Sequence, residues 1–274
     1  MSVLEAIVLG IEQGLTEFLP ISRTAHLRIV PAFAGWEDRG AAFTAVTQLG
    51  TMLAVVIYFR EDLWRISRAW LRSLREPALR RSLDARLGWY ILLGTIPIGI
   101  FGIAFKDQIE DGARDLYLIG AALIVLGLVL LLAERMGTHD RDIDEVRTRD
   151  GVWVGLAQAA ALVPGVSRSG ATLTAGLFRG LDRAAAARFS FLLSVPAVVL
   201  SGLLELNTIA SGEDGEHVGA GALIIATTMA FFAGYAAIAF LLRFLSSHST
   251  AIFVGYRVAL GALVLVLVGA GAIS

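Results

Sequence analysis

Residues 9–30, LGIEQGLTEFLPISRTAHLRIV, and residues 154–176, VGLAQAAALVPGVSRSGATLTAG, are apolar enough to enter a bilayer, yet each is broken by a proline and a Ser-Arg pair. Shifting the first by 145 residues puts Gly10 on Gly155, Gln13 on Gln158, Ser22 on Ser167, Arg23 on Arg168 and Thr24 on Ser169, and the two prolines, Pro20 and Pro164, agree with a one-residue slip. The two stretches read as copies of one unit. Working outward, three unbroken apolar stretches follow each copy: about 43–59, 88–105 and 116–133 after the first, and about 189–206, 218–242 and 251–273 after the second. Each is long enough to cross about 30 Å of hydrocarbon as a helix. Three is an odd number of crossings. If each broken segment enters and returns on one side, the second copy must therefore enter from the face opposite the first, which is an inverted-topology repeat. The expectation is an all-α integral membrane protein, a single membrane domain over 1–274. It would have six transmembrane helices plus two re-entrant helical hairpins, the inverted repeats covering 1–135 and 150–274.

Composition agrees. Hydrophobic residues make up 56% of 274, charged residues 17%, and mean hydropathy is +0.71, where soluble domains carry about 25% charged residues. A soluble monomer is excluded. The absence of cysteine removes disulfides and thiolate chemistry, and a net charge of −1 argues against nucleic acid as a partner. The first 30 residues carry Glu5, Glu12, Gln13 and Glu17 without a basic start, so they are expected in the mature protein rather than in a signal peptide.

Basic residues are retained on the cytoplasmic side. Arg60, Arg65, Arg68, Arg72, Arg75, Arg80, Arg81 and Arg86 form the largest basic cluster, which places 60–87 inside, as a solvated face toward lipid headgroups. The connection KDQIEDGARD from Lys106 and the stretch around Glu213, Asp214 and Glu216 are acidic and fall outside, with both termini.

The breaks concentrate ionisable residues where they are expensive. A charge at the bilayer centre costs about 2.5–3.5 kcal/mol on insertion scales, so it needs a partner or a task. Gln13 and Glu17 share a helix face; Ser22, Arg23, Thr24 and His26 follow the first break, and Ser167, Arg168, Ser169 and Gly170 the second. Non-helical backbone at that depth must line a cavity, so the two turns are expected to meet around one polar chamber. A helix starting near Gly170 would add free N–H groups. Two guanidiniums with hydroxyl donors suit a phosphate or diphosphate, and a carboxylate with an imidazole supplies proton transfer. Arg23 reads equally as a structural ion pair with Glu17. Glu5 and Glu12 read as interfacial or packing charges, and Arg28 as a surface residue. Gly261, Gly269 and Gly271 permit close helix contact, within the chain or across a homodimer.

At these residues the sequence resembles the bacterial undecaprenyl-pyrophosphate phosphatase family of integral membrane enzymes. The resemblance covers nearly the whole chain: QGLTEFLPIS with His26, QLGTMLAVV from Gln48, PGVSRSGAT from Pro164, FSFLLSVP from Phe189 and FVGYRVALG from Phe253. It implies hydrolysis of a C55 polyprenyl diphosphate to the monophosphate, recycling the lipid carrier for cell-wall glycans, in the plasma membrane at a site opening to the outer face. Carried over residue by residue, the resemblance marks Gln13, Glu17, Ser22, Thr24, His26, Ser167 and Arg168; with Arg23 and Ser169 added from the reading of the turns themselves, the catalytic set is Glu17, His26 and Arg168, and the substrate-binding set is Gln13, Ser22, Arg23, Thr24, Ser167 and Ser169. The resemblance also suggests a divalent cation, Mg or Ca, at Glu17, although one carboxylate plus an amide is a poor metal site alone. One departure stands out: members usually carry a second serine where this chain has Arg23, and Gly where it has Ala25, which makes the expected turn less permissive toward positive φ. The nucleophile therefore stays open between His26 and a water activated by Glu17 and His26. A transporter or flippase of a lipid phosphate is the alternative that the repeat architecture itself suggests.

Overall fold

The computed structural model describes residues 1–36, 40–105, 108, 115–210 and 219–273. Among these the chain is all-helical: α1 Val3–Phe18, α2 Arg23–Ala34, α3 Gly40–Tyr58, α4 Arg60–Arg75, α5 Leu83–Ala104, α6 Leu116–Met136, α7 Thr148–Ala160, α8 Arg168–Phe178, α9 Arg183–Ala210, α10 Ala220–Leu245 and α11 Ala251–Gly269. Five of these helices (α5, α6, α9, α10 and α11) are long and apolar enough to cross a membrane, and α3 joins them if counted with α4, from which it is bent by 73°. The protein is therefore multi-pass, with five to six spans. The acidic connections expected after Lys106 and around Glu213, and the Arg28 side chain, lie outside the described residues.

The broken segments fold as two short-armed hairpins. At 1.5 Å per residue the four arms are about 16–24 Å long, too short to span the hydrocarbon. Ser2 and Glu5 start α1 with a reciprocal capping box. The arm stops at Phe18 because Leu19, preceding Pro20, takes an extended conformation, the backbone preference of a residue before proline. After each break the chain turns through a serine in the left-handed region: Ser22 at φ 75° opens α2 and Ser167 at φ 68° opens α8. A non-glycine residue held there costs about 1–3 kcal/mol and persists only where its surroundings fix it.

Each first arm packs on a long helix from the other half of the chain, α1 against α10 and α7 against α5. Glycine makes both approaches possible. A Cβ at Gly155 would lie 2.6 Å from the Gly94 Cα, and one at Gly10 would lie 2.9 Å from the Ala226 Cα. Gly261 is used within the chain, against the Gly120 carbonyl of α6. One end of the bundle is tied by ion pairs: Arg188 and Arg65 to Asp62, Arg183 to Glu134, and Arg141 and Arg179 to the fully buried Asp150. The cluster 60–87 is thus not only a solvated face. Arg65 and Arg86 are tertiary ties, Arg65 to Asp84 at 3.0 Å and Arg86 to the Val146 carbonyl at 2.5 Å.

Candidate active site

The two hairpin tips meet. Arg168, the first residue of α8, donates to Oε1 of Glu17 in the last turn of α1, and Nη1 of Arg23, the first residue of α2, lies 3.2 Å from Glu17 Oε2. One buried carboxylate thus bridges two guanidiniums contributed by the two hairpins. Arg23 also donates to the side-chain oxygen of Gln48 on α3. The tips are joined a second time where the Ser169 hydroxyl donates to the Leu19 carbonyl at 3.1 Å. Helix α8 starts at Arg168, two residues before the expected Gly170, because Ser167 is its N-cap: its hydroxyl accepts from the Gly170 N–H at 3.2 Å and lies 3.3 Å from the Ser169 hydroxyl.

His26, on the first turns of α2, is buried and held at both nitrogens. Nδ1 lies 2.7 Å from the Ser22 carbonyl and Nε2 lies 2.6 Å from the Tyr256 hydroxyl of α11, with the two rings nearly parallel. A carbonyl only accepts, so Nδ1 carries the proton and Nε2 presents its lone pair to the Tyr256 O–H. Among the described residues no hydrogen bond joins His26 to Glu17; Ser22 and Tyr256 set the ring's orientation instead. Gln13 is buried with neither side-chain polar atom paired, and the Ser22 hydroxyl and both Glu12 carboxylate oxygens are in the same condition. Thr24 is half-buried beside them. Ala25 is helical and packs against Ile29, Leu116 and Ile119; the positive φ falls three residues earlier, on Ser22, so alanine does not burden the turn.

Three residues that sequence reasoning left out complete the arrangement: Gln48, Tyr256 and Arg257. Arg257 is 1% exposed and donates only to carbonyls, to Pro20 at 3.3 Å in the first break, to Gly165 at 3.2 Å and Val166 at 3.1 Å in the second, and to Leu123 of α6 at 3.3 Å. It staples the two turns together from behind, which is what holds their strained serines in place. A charge in the middle of the otherwise apolar 251–273 stretch was the available signal, because such a residue is costly without a partner.

For a resident cation the donors are poor. The Glu17 oxygens are directed at Arg168 and Arg23, and no group of three or more His, Cys, Asp or Glu gathers anywhere among the described residues, whereas Mg and Ca take six or more oxygens. The residues present do not fit a metal held by the protein alone.

Two guanidiniums from the two broken segments, a carboxylate between them and an oriented imidazole define a multi-pass helical membrane protein built around a buried cluster of charged side chains. Comparison with known proteins specifies it further. The chain belongs to the bacitracin resistance protein BacA family, whose model matches residues 6–263. It is similar to an undecaprenyl-diphosphatase of Nocardioides sp., 57% identical over 99% of this chain and 98% of the relative. It is also similar to proteins of the same name from Mycolicibacterium smegmatis, 53% identical over 100% and 99%, and Thermobifida fusca, 52% identical over 100% and 93%.

Proposed function

We propose that this protein is an undecaprenyl-diphosphatase, hydrolysing the lipid diphosphate to undecaprenyl monophosphate and phosphate and so returning the carrier to cell-wall glycan synthesis. The observation that carries the reading is the convergence of Arg168 and Arg23 on Glu17, in a chain whose full-length relatives bear that name. The carboxylate stands where a phosphate belongs. On binding, the diphosphate exchanges with Glu17 at the two guanidiniums, taking bidentate hydrogen bonds along with the hydroxyls of Ser169 and Thr24 and the free N–H groups opening α8, a turn that the Ser167 cap holds in place. Ser22 and Gln13 supply polar atoms that have no partner within the protein, which is how a ligand-facing group looks when buried. The prenyl tail lies between helices in lipid.

The Tyr256 hydroxyl turns its O–H from His26 Nε2 to a diphosphate oxygen, and the lone pair so freed drives the attack. A water oxygen joins the terminal phosphorus as its proton passes to His26, and the bond from that phosphorus to the bridging oxygen breaks. The electron pair leaves on the monophosphate, whose growing charge the arginines stabilise. Glu17, released from its ion pairs, accepts hydrogen bonds from the attacking water or from the protonated imidazole. Any Mg or Ca ion arrives with the diphosphate, Glu17 being the carboxylate within reach, and no step here depends on it.

We further read the architecture as six spans and two re-entrant hairpins in an inverted repeat. The exchange of partners supports this, α1 on α10 and α7 on α5, as do the matched glycines and the matched positive-φ serines. The arginine-rich end is cytoplasmic, and the first hairpin enters from the outer face of the plasma membrane, from which the substrate approaches.

The test is release of one phosphate per undecaprenyl diphosphate by the purified protein, with Glu17→Ala as the control. Translocation of intact lipid phosphate across liposomes without hydrolysis would sink the reading. Arg23→Ser, which restores the residue the family resemblance leads one to expect, should raise KM about three- to tenfold with kcat little changed, since a partly exposed guanidinium contributes about 1 kcal/mol to holding an anion.

A further inference from the structure

Away from the anion centre, a groove of about 600 Å³ opens between α5 and α7 at the arginine-rich end of the bundle. That volume lies within the range of ligand-sized pockets, about 300–1,000 Å³. Its lining is graded. Arg86, Tyr90, Arg147 and Thr148 line one end, and Leu93, Pro97, Val152 and Leu156 line the rest. From Arg86 to Pro97 the groove follows α5 for about 16 Å. The polar end is preassembled: Arg86 donates to the Tyr90 hydroxyl at 3.1 Å, which lies 3.1 Å from the Thr148 hydroxyl.

The charge there is uncompensated. Arg65, Arg141, Arg179, Arg183 and Arg188 each meet a carboxylate, whereas among the described residues neither Arg86 nor Arg147 does. Trp89, which also lines the groove, is partly exposed and stacks edge-on with Trp70, and Trp153 of α7 is exposed nearby. Exposed tryptophans sit at headgroup depth in membrane proteins. Two guanidiniums that meet no carboxylate among the described residues are therefore at phosphate level, and a continuous apolar trough runs from them toward the hydrocarbon.

We propose that this groove binds an anionic glycerophospholipid of the arginine-rich leaflet. Its phosphodiester is held by Arg86, Arg147 and the Thr148 hydroxyl, and one acyl chain lies along Leu93, Pro97, Val152 and Leu156. The occupant follows from charge complementarity and from the gradient, since a soluble phosphate would leave the trough bare and a lipid without net charge would leave the positive charge of both guanidiniums uncompensated. Helices α5 and α7 cross at Gly94 and Gly155 on the floor of this groove, so a lipid seated there braces the arm that leads to Arg168. This inference does not depend on the proposed reaction.

Native mass spectrometry of the full chain, released from nanodiscs containing phosphatidylglycerol and phosphatidylcholine, tests it. One phosphatidylglycerol per chain should survive release in preference to phosphatidylcholine. Arg147→Gln, at an exposed position, should lower that retention about fivefold, the contribution of one arginine at a membrane surface. Val152→Trp, which fills the trough, should do the same without touching charge. Phosphate release in detergent should be unchanged in both variants. Equal retention of the two lipids by the wild type, or wild-type retention in both variants, overturns the proposal. So does displacement of phosphatidylglycerol by equimolar undecaprenyl phosphate, which would make the groove a site for the prenyl monophosphate instead.

Discussion

The two hairpins share a break, a Ser-Arg turn and a positive-φ serine, but they are finished differently. In the second, Ser167 caps the Gly170 N–H and Gln158 donates to the Gly94 carbonyl at 3.4 Å. In the first, the equivalent Ser22 hydroxyl and both polar atoms of Gln13 have no partner among the described residues, and the hairpin adds Glu17 and His26, which the second lacks. The second hairpin thus engages its serine hydroxyl and the amide nitrogen of its glutamine within the protein, leaving only the Gln158 side-chain oxygen without a partner among the described residues, whereas the first engages none of the corresponding atoms. We take the second hairpin to hold the site and the first to face the ligand. Arg168 is the exception that links them, since it leaves the second hairpin to meet the carboxylate of the first.

That exception carries the largest expected effect. In the proposed reaction Arg168→Ala removes the principal cation beside the transferring phosphoryl group, and it leaves Glu17 buried with Arg23 alone. Loss of one preorganised donor of this kind costs about 10²–10³ in rate, and phosphate release should fall to the upper end of that range. A rate equal to wild type would end the assignment of Arg168 to the reaction.

Next comes the staple. Arg257→Met preserves length but removes a cation from four carbonyls, three of which lie in the breaks. Buried acceptors left without donors cost about 1–3 kcal/mol each where nothing replaces the bond. The melting temperature in detergent should drop by several degrees and activity at least tenfold, with Arg257→Lys recovering part of both. If Arg257→Met melts like the wild type, the hairpins do not depend on one another, and the comparison between them loses its physical link.

Much of this was legible in the chain, because helices in lipid must satisfy their own backbone and therefore announce themselves as apolar runs. The six stretches coincide with α3, α5, α6, α9, α10 and α11, and the two breaks with the only sites where proline and Ser-Arg interrupt such a run. What escaped was tertiary. Gln48 and Tyr256 look like ordinary polar residues in apolar helices until packing brings them to Arg23 and His26. The strained turn residue is Ser22, where the chain reverses, and not Ala25, whose side chain differs from the expected glycine. Charge in the middle of a span was the one unread signal, at Arg257.

The smallest expected effect separates the two serines, and it tests the division of labour most directly. Ser167→Ala removes an N-cap hydroxyl already engaged with Gly170, so it should cost about 1 kcal/mol of stability and lower the melting temperature by a few degrees. Ser22→Ala removes a hydroxyl with no bond to lose inside the protein, so the melting temperature should hold, while kcat/KM falls about five- to tenfold through one lost hydrogen bond to the bound diphosphate, about 1–1.5 kcal/mol. Thermal unfolding and phosphate release on the same two preparations give four numbers with a crossed pattern. Parallel losses in both serines would mean that the hairpins are equivalent supports and that Ser22 meets no substrate. The opposite crossing, stability lost at Ser22 and rate lost at Ser167, would move the phosphate to the α8 side, with Arg168 and Ser167 as its main ligands and Glu17 as a structural counter-charge.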